Sequence, residues 1–402
     1  MKRLLTITFA LCIALGALAQ KPPKRADILR AMHTANDYFI RKYPDPTVPT
    51  FVKKERPSNL WTRGVYFEGL MELIKLDRRE QNVDYVRRWA DFHKWTPRNG
   101  VLTRDADDYC CSQTYIDFAT GGYCPDLQLA DMLRPTIQCM DNLLHPAAQE
   151  LSPKSKAKYN DNSLHDWTWI DAIQMGLPVL TSLAEAPGTS REKETAYCEQ
   201  GWRMYVWARD TLAGGLFNKK EGLWWRDKDF VPPYKEPNGA NCYWSRGNGW
   251  VYAALVRAME DLENNPRRTQ LHYDGYKADF LLMSEALLKC QRKDRFWNVS
   301  LHDESNFGGK ELTGTALFVY GMAWGINHGL LDAKTYRPVV IKTWKAMVKN
   351  CLRKDGFLHY VQGTGKEPKD SQPVGLNIEP DFDDYGLGCF LLAGCEVEKL
   401  SK

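Results

Sequence analysis

In the stretch HDWTWIDAIQMGLPVL one carboxylate, Asp171, stands among Trp169, Ile170, Ala172, Ile173 and Met175. An acid in such apolar company is expected to have a raised pKa, and a carboxyl that keeps its proton near neutral pH is what general-acid chemistry requires. The plainer account is a helix cap or a salt bridge, but Asp166 or Thr168 would cap better, which favours the catalytic account. A second acidic pair, Asp107 and Asp108 in TRDADDYCCSQTYIDF, also precedes a helix. One of the two is expected to be an N-cap, and the other could enter a cleft where two carboxyls raise one another's pKa and hold a water between them. In CYWSRGNGW, Trp244 and Trp250 offer aromatic faces and Arg246 a two-pronged donor, the combination that a sugar ring bearing a carboxylate calls for. A further stretch, GLWWRDKDF, is open to two readings: Trp224 and Trp225 as core, and Arg226 as a solvated charge.

The elements that must carry these residues are helices. Apolar periodicity near 3.6 residues predicts helical stretches near 26–43, 61–77, 82–96, 108–120, 125–146, 168–185, 190–213, 247–263, 270–292, 311–329, 334–353 and 381–400, with short strand-like runs such as GLWWRD between some of them. Alternate members open with glycine before an apolar run: RGVYFEGLMEL, GNGWVYAALV, GTALFVYGMAWG and YGLGCFLLAG. Their partners, such as NVDYVRRWADFHKW and TYRPVVIKTWKAMVKN, are amphipathic. Helices apolar all round belong inside and amphipathic ones outside, so the expected architecture is all-α, a single-domain (α/α)6 toroid of six inner and six outer helices. If the inner helices run the same way, their N-terminal ends converge on one face. Unpaired amides and dipoles there favour an anion. Trp61, Asp107, Asp108, Asp171, Trp244, Arg246, Glu311, Thr313, Asp383 and Asp384 all fall near such ends.

Composition narrows the function classes. The chain has 402 residues, 44% of them hydrophobic, and 54 basic against 50 acidic residues give a formal charge of +4 without a basic stripe. Nucleic acid is therefore not an expected partner, while a small anionic ligand is. The first nineteen residues, from the basic MKRLL through an apolar run to Ala17-Leu18-Ala19, read as a cleaved signal peptide, leaving residues 20–402 as one catalytic domain. That predicts a periplasmic or secreted protein, unanchored after processing and monomeric or homodimeric. Ten of the eleven cysteines lie outside the signal segment, with no CxxC or HExxH spacing, so no metal site is expected and buried free thiols are.

Together, WTWIDAIQMGLPVL, YWSRGNGWVYAAL, ELTGTALFVYGMAWGI and YGLGCFLLAGCE occur in this order from about residue 30 to the C-terminus. The chain thereby resembles the unsaturated rhamnogalacturonyl hydrolases of glycoside hydrolase family 105 and, more distantly, the unsaturated glucuronyl hydrolases of family 88. The resemblance implies an (α/α)6 barrel acting on a 4,5-unsaturated uronic acid at the non-reducing end of an oligosaccharide left by a polysaccharide lyase, with pectin-type rhamnogalacturonan products as the expected substrates. It implies Asp171 as general acid and base and Asp108 as the second aspartate, with Asp107 the alternative by one position. Trp61, Trp169, Arg226, Trp244, Arg246 and Trp250 are implied as substrate contacts, and neither a metal nor a cofactor is needed. Two departures bear on the leaving sugar: Arg226 stands where many relatives have histidine, and Gln113 and Thr114 stand where Gly and Lys often follow the second aspartate. Two other functions fit the same residues, an inverting glycosidase acting on saturated oligosaccharides and a non-catalytic periplasmic sugar-binding protein.

Overall fold

The structure, a computed structural model, describes residues 22–52, 54–145, 163–370, 372, 374–378 and 384–401. The expected signal peptide and Asp383 lie outside them. Thirteen α-helical segments are found among the described residues: α1 Arg25–Lys42, α2 Trp61–Leu76, α3 Glu80–Phe92, α4 Ala106–Tyr109, α5 Ser112–Thr120, α6 Asp126–Leu144, α7 Asp171–Ala184, α8 Arg191–Val206, α9 Ser245–Glu263, α10 Tyr273–Cys290, α11 Leu312–Asn327, α12 Ala333–Cys351 and α13 Asp384–Lys399. The expected helix over 108–120 is the pair α4 and α5, which pauses at Cys110 and Cys111 without leaving right-handed helical geometry.

A closed ring is formed by α2, the α4–α5 pair, α7, α9, α11 and α13, each packed on the next and α13 back on α2. Every residue of α11 from Leu312 to Gly325 is buried, as the apolar run LTGTALFVYGMAWG dictates. The remaining helices pack outside this ring. On α3, for example, Asn82, Val83, Tyr85, Val86, Trp89 and Ala90 face inward while Gln81, Asp84 and Arg88 are exposed. This is the expected alternation of inner and outer helices.

Glycine sets the closest crossing of the ring. A Cβ on Gly388 would overlap the Val65 carbonyl, and one on Gly69 would overlap the Gly388 carbonyl, so α2 and α13 touch backbone to backbone. Gly388→Ala is expected to lower stability by about 1–3 kcal/mol, read as a lower urea midpoint.

The C-terminal ends of the inner helices carry a charge network. Asp117 accepts from Arg257 at 3.0 Å and lies 3.5 Å from Lys75, which also reaches Glu72 at 2.7 Å. Two small antiparallel ribbons complete the fold, Thr50–Val52 with Lys54–Arg56 and Phe217–Asn218 with Leu223–Trp224. The predicted helix over 190–213 ends early. A π-helical turn covers Trp207–Thr211 and leads to Gly214 and Gly215, both at positive φ, where the chain turns into the second ribbon. All ten described cysteines are free, and no described helix is long and apolar enough to cross a membrane.

Candidate functional site

The N-terminal ends of the inner helices meet at the other end of the ring. Trp61, first residue of α2, lies 5.3 Å from the ring of Tyr385 on α13 and 6.1 Å from that of Trp250 on α9. The segment after Tyr360 joins the α9 start to α11 and α13, because the Gln362 amide donates to Glu311 at 3.4 Å while its carbonyl accepts from Arg246 and from Tyr385. Helices α4 and α7 pack on each other, and Arg226 pairs with Asp171 at the α7 start.

Asp171 is the first residue of α7. The helix begins one turn later than expected, its N-cap is Ile170, and neither Asp166 nor Thr168 caps it. The ribbon ending at Trp224 runs on through Arg226, whose carbonyl accepts from the Ile170 amide at 2.9 Å, while Trp169 bridges to Asp227. This pairing places the Arg226 Nε 3.4 Å from Asp171 Oδ2 and leaves its Nη1 2.6 Å from Asp227 Oδ2. Arg226 is therefore part of the site and not a loose surface charge. Burial raises the Asp171 pKa above its ordinary value, and the positive charges of Arg226 and Arg246 offset this only in part. Burial disfavours charge on Arg226 too, but the negative charges of Asp171, Asp227 and Asp107 outweigh it and hold the guanidinium above its ordinary pKa.

Of the two consecutive aspartates, Asp107 is half-buried, and its negative charge is among those that stabilise the Arg226 guanidinium. Asp108 is 3% exposed. It pairs with Arg98 and accepts from Asn99 Nδ2 at 2.9 Å and Thr103 Oγ1 at 2.6 Å, closing the tight loop before α4. Asp108, the expected second aspartate, is thus tied into the loop before α4, while Asp107, the alternative by one position, is the acid whose charge acts on Arg226. The cap of α4 is neither of them, because Asp105 accepts from the Asp107 amide.

The RGNGW segment is also built differently from its sequence reading. Its glycines and asparagine lie inside the first turns of α9, so none serves a positive φ. A Cβ on Gly247 would come within 2.8 Å of the Trp244 ring, and one on Gly249 within 2.9 Å of Leu317. Asn248 accepts from the Trp224 amide at 2.8 Å and donates to the Trp224 carbonyl at 3.0 Å, which pins the strand leading to Arg226.

Trp244 and Trp250, expected as stacking faces for the sugar, are 1% and 0% exposed. Arg246, expected as the presented fork, is 1% exposed and donates both terminal nitrogens to backbone carbonyls, Gln362 at 2.7 Å and Gly363 at 2.9 Å. Its guanidinium lies over the Trp244 and Tyr385 rings at 4.6 and 5.3 Å. These three residues form the wall behind the site, and the accessible part comprises Trp61, Trp169, Asp107, Asp171 and Arg226.

Sequence reasoning missed the residues that organise this wall. Gln362 accepts from Trp244 Nε1 at 3.0 Å through Oε1, and its carbonyl takes both Arg246 and the Tyr385 hydroxyl. Tyr385 shows the signal that could have found it, an aromatic at the start of an inner helix, as Trp61 is. Gln362 lies in a loop without such a signal. Glu311, placed near the cleft by the helix pattern, is the cap of α11 and accepts from the Thr313 and Gly314 amides at 2.8 Å. Asp384 is engaged by Arg63 at 3.3 Å. Among the described residues, no cluster of His, Cys, Asp and Glu is arranged to hold a metal ion.

A sequence profile described as Glycosyl Hydrolase Family 88 matches residues 31–401. The chain is 30% identical over 347 residues to an unsaturated 3S-rhamnoglycuronyl hydrolase of Formosa agariphila, covering 85% of each protein. It is 31% identical over 354 residues to one from an Alteromonas species, covering 86% of this chain and 78% of that protein. A solved family 88 structure from Bacteroides vulgatus aligns over 93% of this chain and 99% of its own with 27% identity and a TM-score of 0.77. A structure from Salmonella enterica described as a possible member of family 105, at 17% identity and a TM-score of 0.67, shares the fold. The protein is a glycosidase and its kinship is with the unsaturated uronyl hydrolases, which sets aside the reading as a sugar-binding protein. Aspartates and an arginine at the mouth of a six-hairpin barrel, with a profile match along nearly the whole chain, place it in glycosyl hydrolase family 88.

Proposed function

We propose that this glycosidase removes a 4,5-unsaturated uronic acid from the non-reducing end of a lyase-generated oligosaccharide by hydrating the C4 to C5 double bond, with Asp171 as the acid. The observation that carries the reading is Asp171 itself, a carboxyl 9% exposed with a raised pKa, 3.4 Å from the guanidinium of Arg226 at the converging helix starts. Such a site holds a proton and a cation side by side. The substrate is an enol ether bearing a carboxylate, so it needs both.

Asp171 delivers its proton to C4, and oxocarbenium character develops at C5. Water adds at C5 and surrenders its proton to a carboxylate, either Asp107 or the newly ionised Asp171. The hemiketal at C5 opens to a ketone, leaving a hemiacetal at C1 that expels the neighbouring sugar. One water is consumed, no electrons change hands, and the anomeric carbon is not attacked directly. Arg226 receives the uronate carboxylate, Trp61 and Trp169 line the ring, and Arg246 contributes fixed positive charge from behind. The names of the two relatives support a leaving rhamnose in preference to a hexosamine. Export through the first nineteen residues and action as an unanchored monomer or homodimer belong to the same proposal, and a mature N-terminus at Gln20 is the expected mass-spectrometric result.

The test follows the ultraviolet absorbance of the conjugated uronate with lyase products of rhamnogalacturonan, of a rhamnose–glucuronate polysaccharide and of a glycosaminoglycan. Loss of absorbance with release of rhamnose is expected. Persistent absorbance with cleavage of a saturated oligosaccharide would favour direct inverting hydrolysis. Arg226→Ala should raise KM by at least about tenfold, since a charge-assisted contact is lost. It should also move the basic limb of the kcat/KM profile to higher pH. The sign follows because removing a cation disfavours ionised Asp171, so the acid stays protonated to higher pH.

A further inference from the structure

The two aspartates of the site sit on segments that are cross-linked both before and after them. Three residues before Asp107, Arg104 donates Nε and one Nη to the carboxylate of Asp166 at 2.7 and 2.6 Å, and Asp166 stands five residues before Asp171. Both side chains are buried, at 1% and 2% exposure. Next to this bridge, Trp167 Nε1 donates to the Tyr109 hydroxyl at 3.0 Å, again joining the two segments.

The second set of links lies one helical turn beyond the aspartates. Cys110, three residues after Asp107, donates through Sγ to Glu68 Oε1 at 3.5 Å, and Gln174, three residues after Asp171, donates through Nε2 to Glu68 Oε2 at 3.0 Å. Gln113 Nε2 adds a direct bond to the Gln174 carbonyl at 2.9 Å. Glu68 is fully buried on α2, two turns below Trp61. Both aspartate-bearing turns therefore rest on one carboxylate.

We propose that Arg104, Asp166 and Glu68 are positioning residues that together set the separation of Asp107 and Asp171. The proposal rests on the assignment of that pair above. A bidentate arginine–carboxylate bridge fixes distance and angle together, which a hydrophobic contact does not. A buried ion pair often contributes little net stability compared with apolar side chains of similar volume. Displacing a reacting group by about 1 Å, in contrast, can cost on the order of a hundredfold in rate. The bridge thus acts mainly on geometry.

The experiment separates the two effects. In the full-length mature enzyme, Arg104→Met combined with Asp166→Leu replaces the bridge by apolar side chains, and unfolding midpoint, kcat and KM are measured on unsaturated disaccharide beside Asp171→Asn. We expect a retained midpoint, KM within about twofold, and kcat lower by about ten- to a hundredfold. Wild-type kcat in the folded double variant overturns the proposal. Should the double variant not fold, Arg104→Lys keeps the charge but not the fork, and Glu68→Gln turns one of two acceptors into a donor that faces Cys110 or Gln174. Each is expected to lower kcat with KM unchanged, and wild-type kcat in both overturns the proposal. An inactive Asp171→Asn beside fully active positioning variants overturns this inference alone, whereas an active Asp171→Asn overturns the catalytic assignment with it.

Discussion

Asp171→Asn is expected to retain the fold and to lose at least about a hundredfold in kcat, the low end of the effect of removing an acid or base. The amide has the shape of the carboxyl but cannot deliver a proton to C4. Its stability consequence has the opposite sign from that of an ordinary buried polar loss. Burial raises the folded-state pKa of Asp171, so ionised Asp171 destabilises the folded protein at pH values above the unfolded-state pKa, and this cost fades as pH falls below it. Asparagine carries no charge to desolvate. The variant should therefore unfold at or above the wild-type temperature near neutral pH, and it should do so while turning over almost no substrate. Calorimetry and the absorbance assay on the same preparation check both halves. A variant with near wild-type kcat would remove Asp171 from the mechanism.

The second large effect separates two neighbours in sequence. Asp107→Asn should lower kcat by about tenfold or more with little change in unfolding temperature, because a half-buried carboxylate whose charge acts on Arg226 supports charge development more than the fold. Asp108→Asn should do the reverse. Its carboxylate carries the Arg98 pair and two further hydrogen bonds, so the loss is about 1–3 kcal/mol of stability with kcat largely retained. Steady-state kinetics and urea unfolding on the two variants give a crossed pattern. If the kinetic loss falls on Asp108 instead, the geometric assignment of the pair is wrong.

Much of the fold was legible in the sequence because the information is local. The stretch LTGTALFVYGMAWG is apolar on every side and can only be an inner helix, while the i, i+3, i+4 spacing of Val83, Val86, Trp89 and Ala90 marks an outer one. Asp171 was visible for the same reason, since its apolar neighbours are its neighbours in sequence. The choice between Asp107 and Asp108 was not visible. Successive side chains on a helix point about 100° apart. One position decides whether a carboxylate faces the cleft or closes a loop, and helix starts are predicted with a larger error than that.

Local pattern was enough to read the ring of helices, the end at which their starts converge, and the apolar setting of Asp171 there. Which charges share that end depends on contacts between segments far apart in the chain. Arg226 reaches Asp171 through a strand-like pairing across a loop region, and Arg246 is drawn back by carbonyls 116 and 117 residues further along the chain. Periodicity reports which face of an element is buried, because burial follows from the element's own side chains. A buried charge is set by whichever partner satisfies it, and in a closed ring that partner comes from a helix or loop far along the chain.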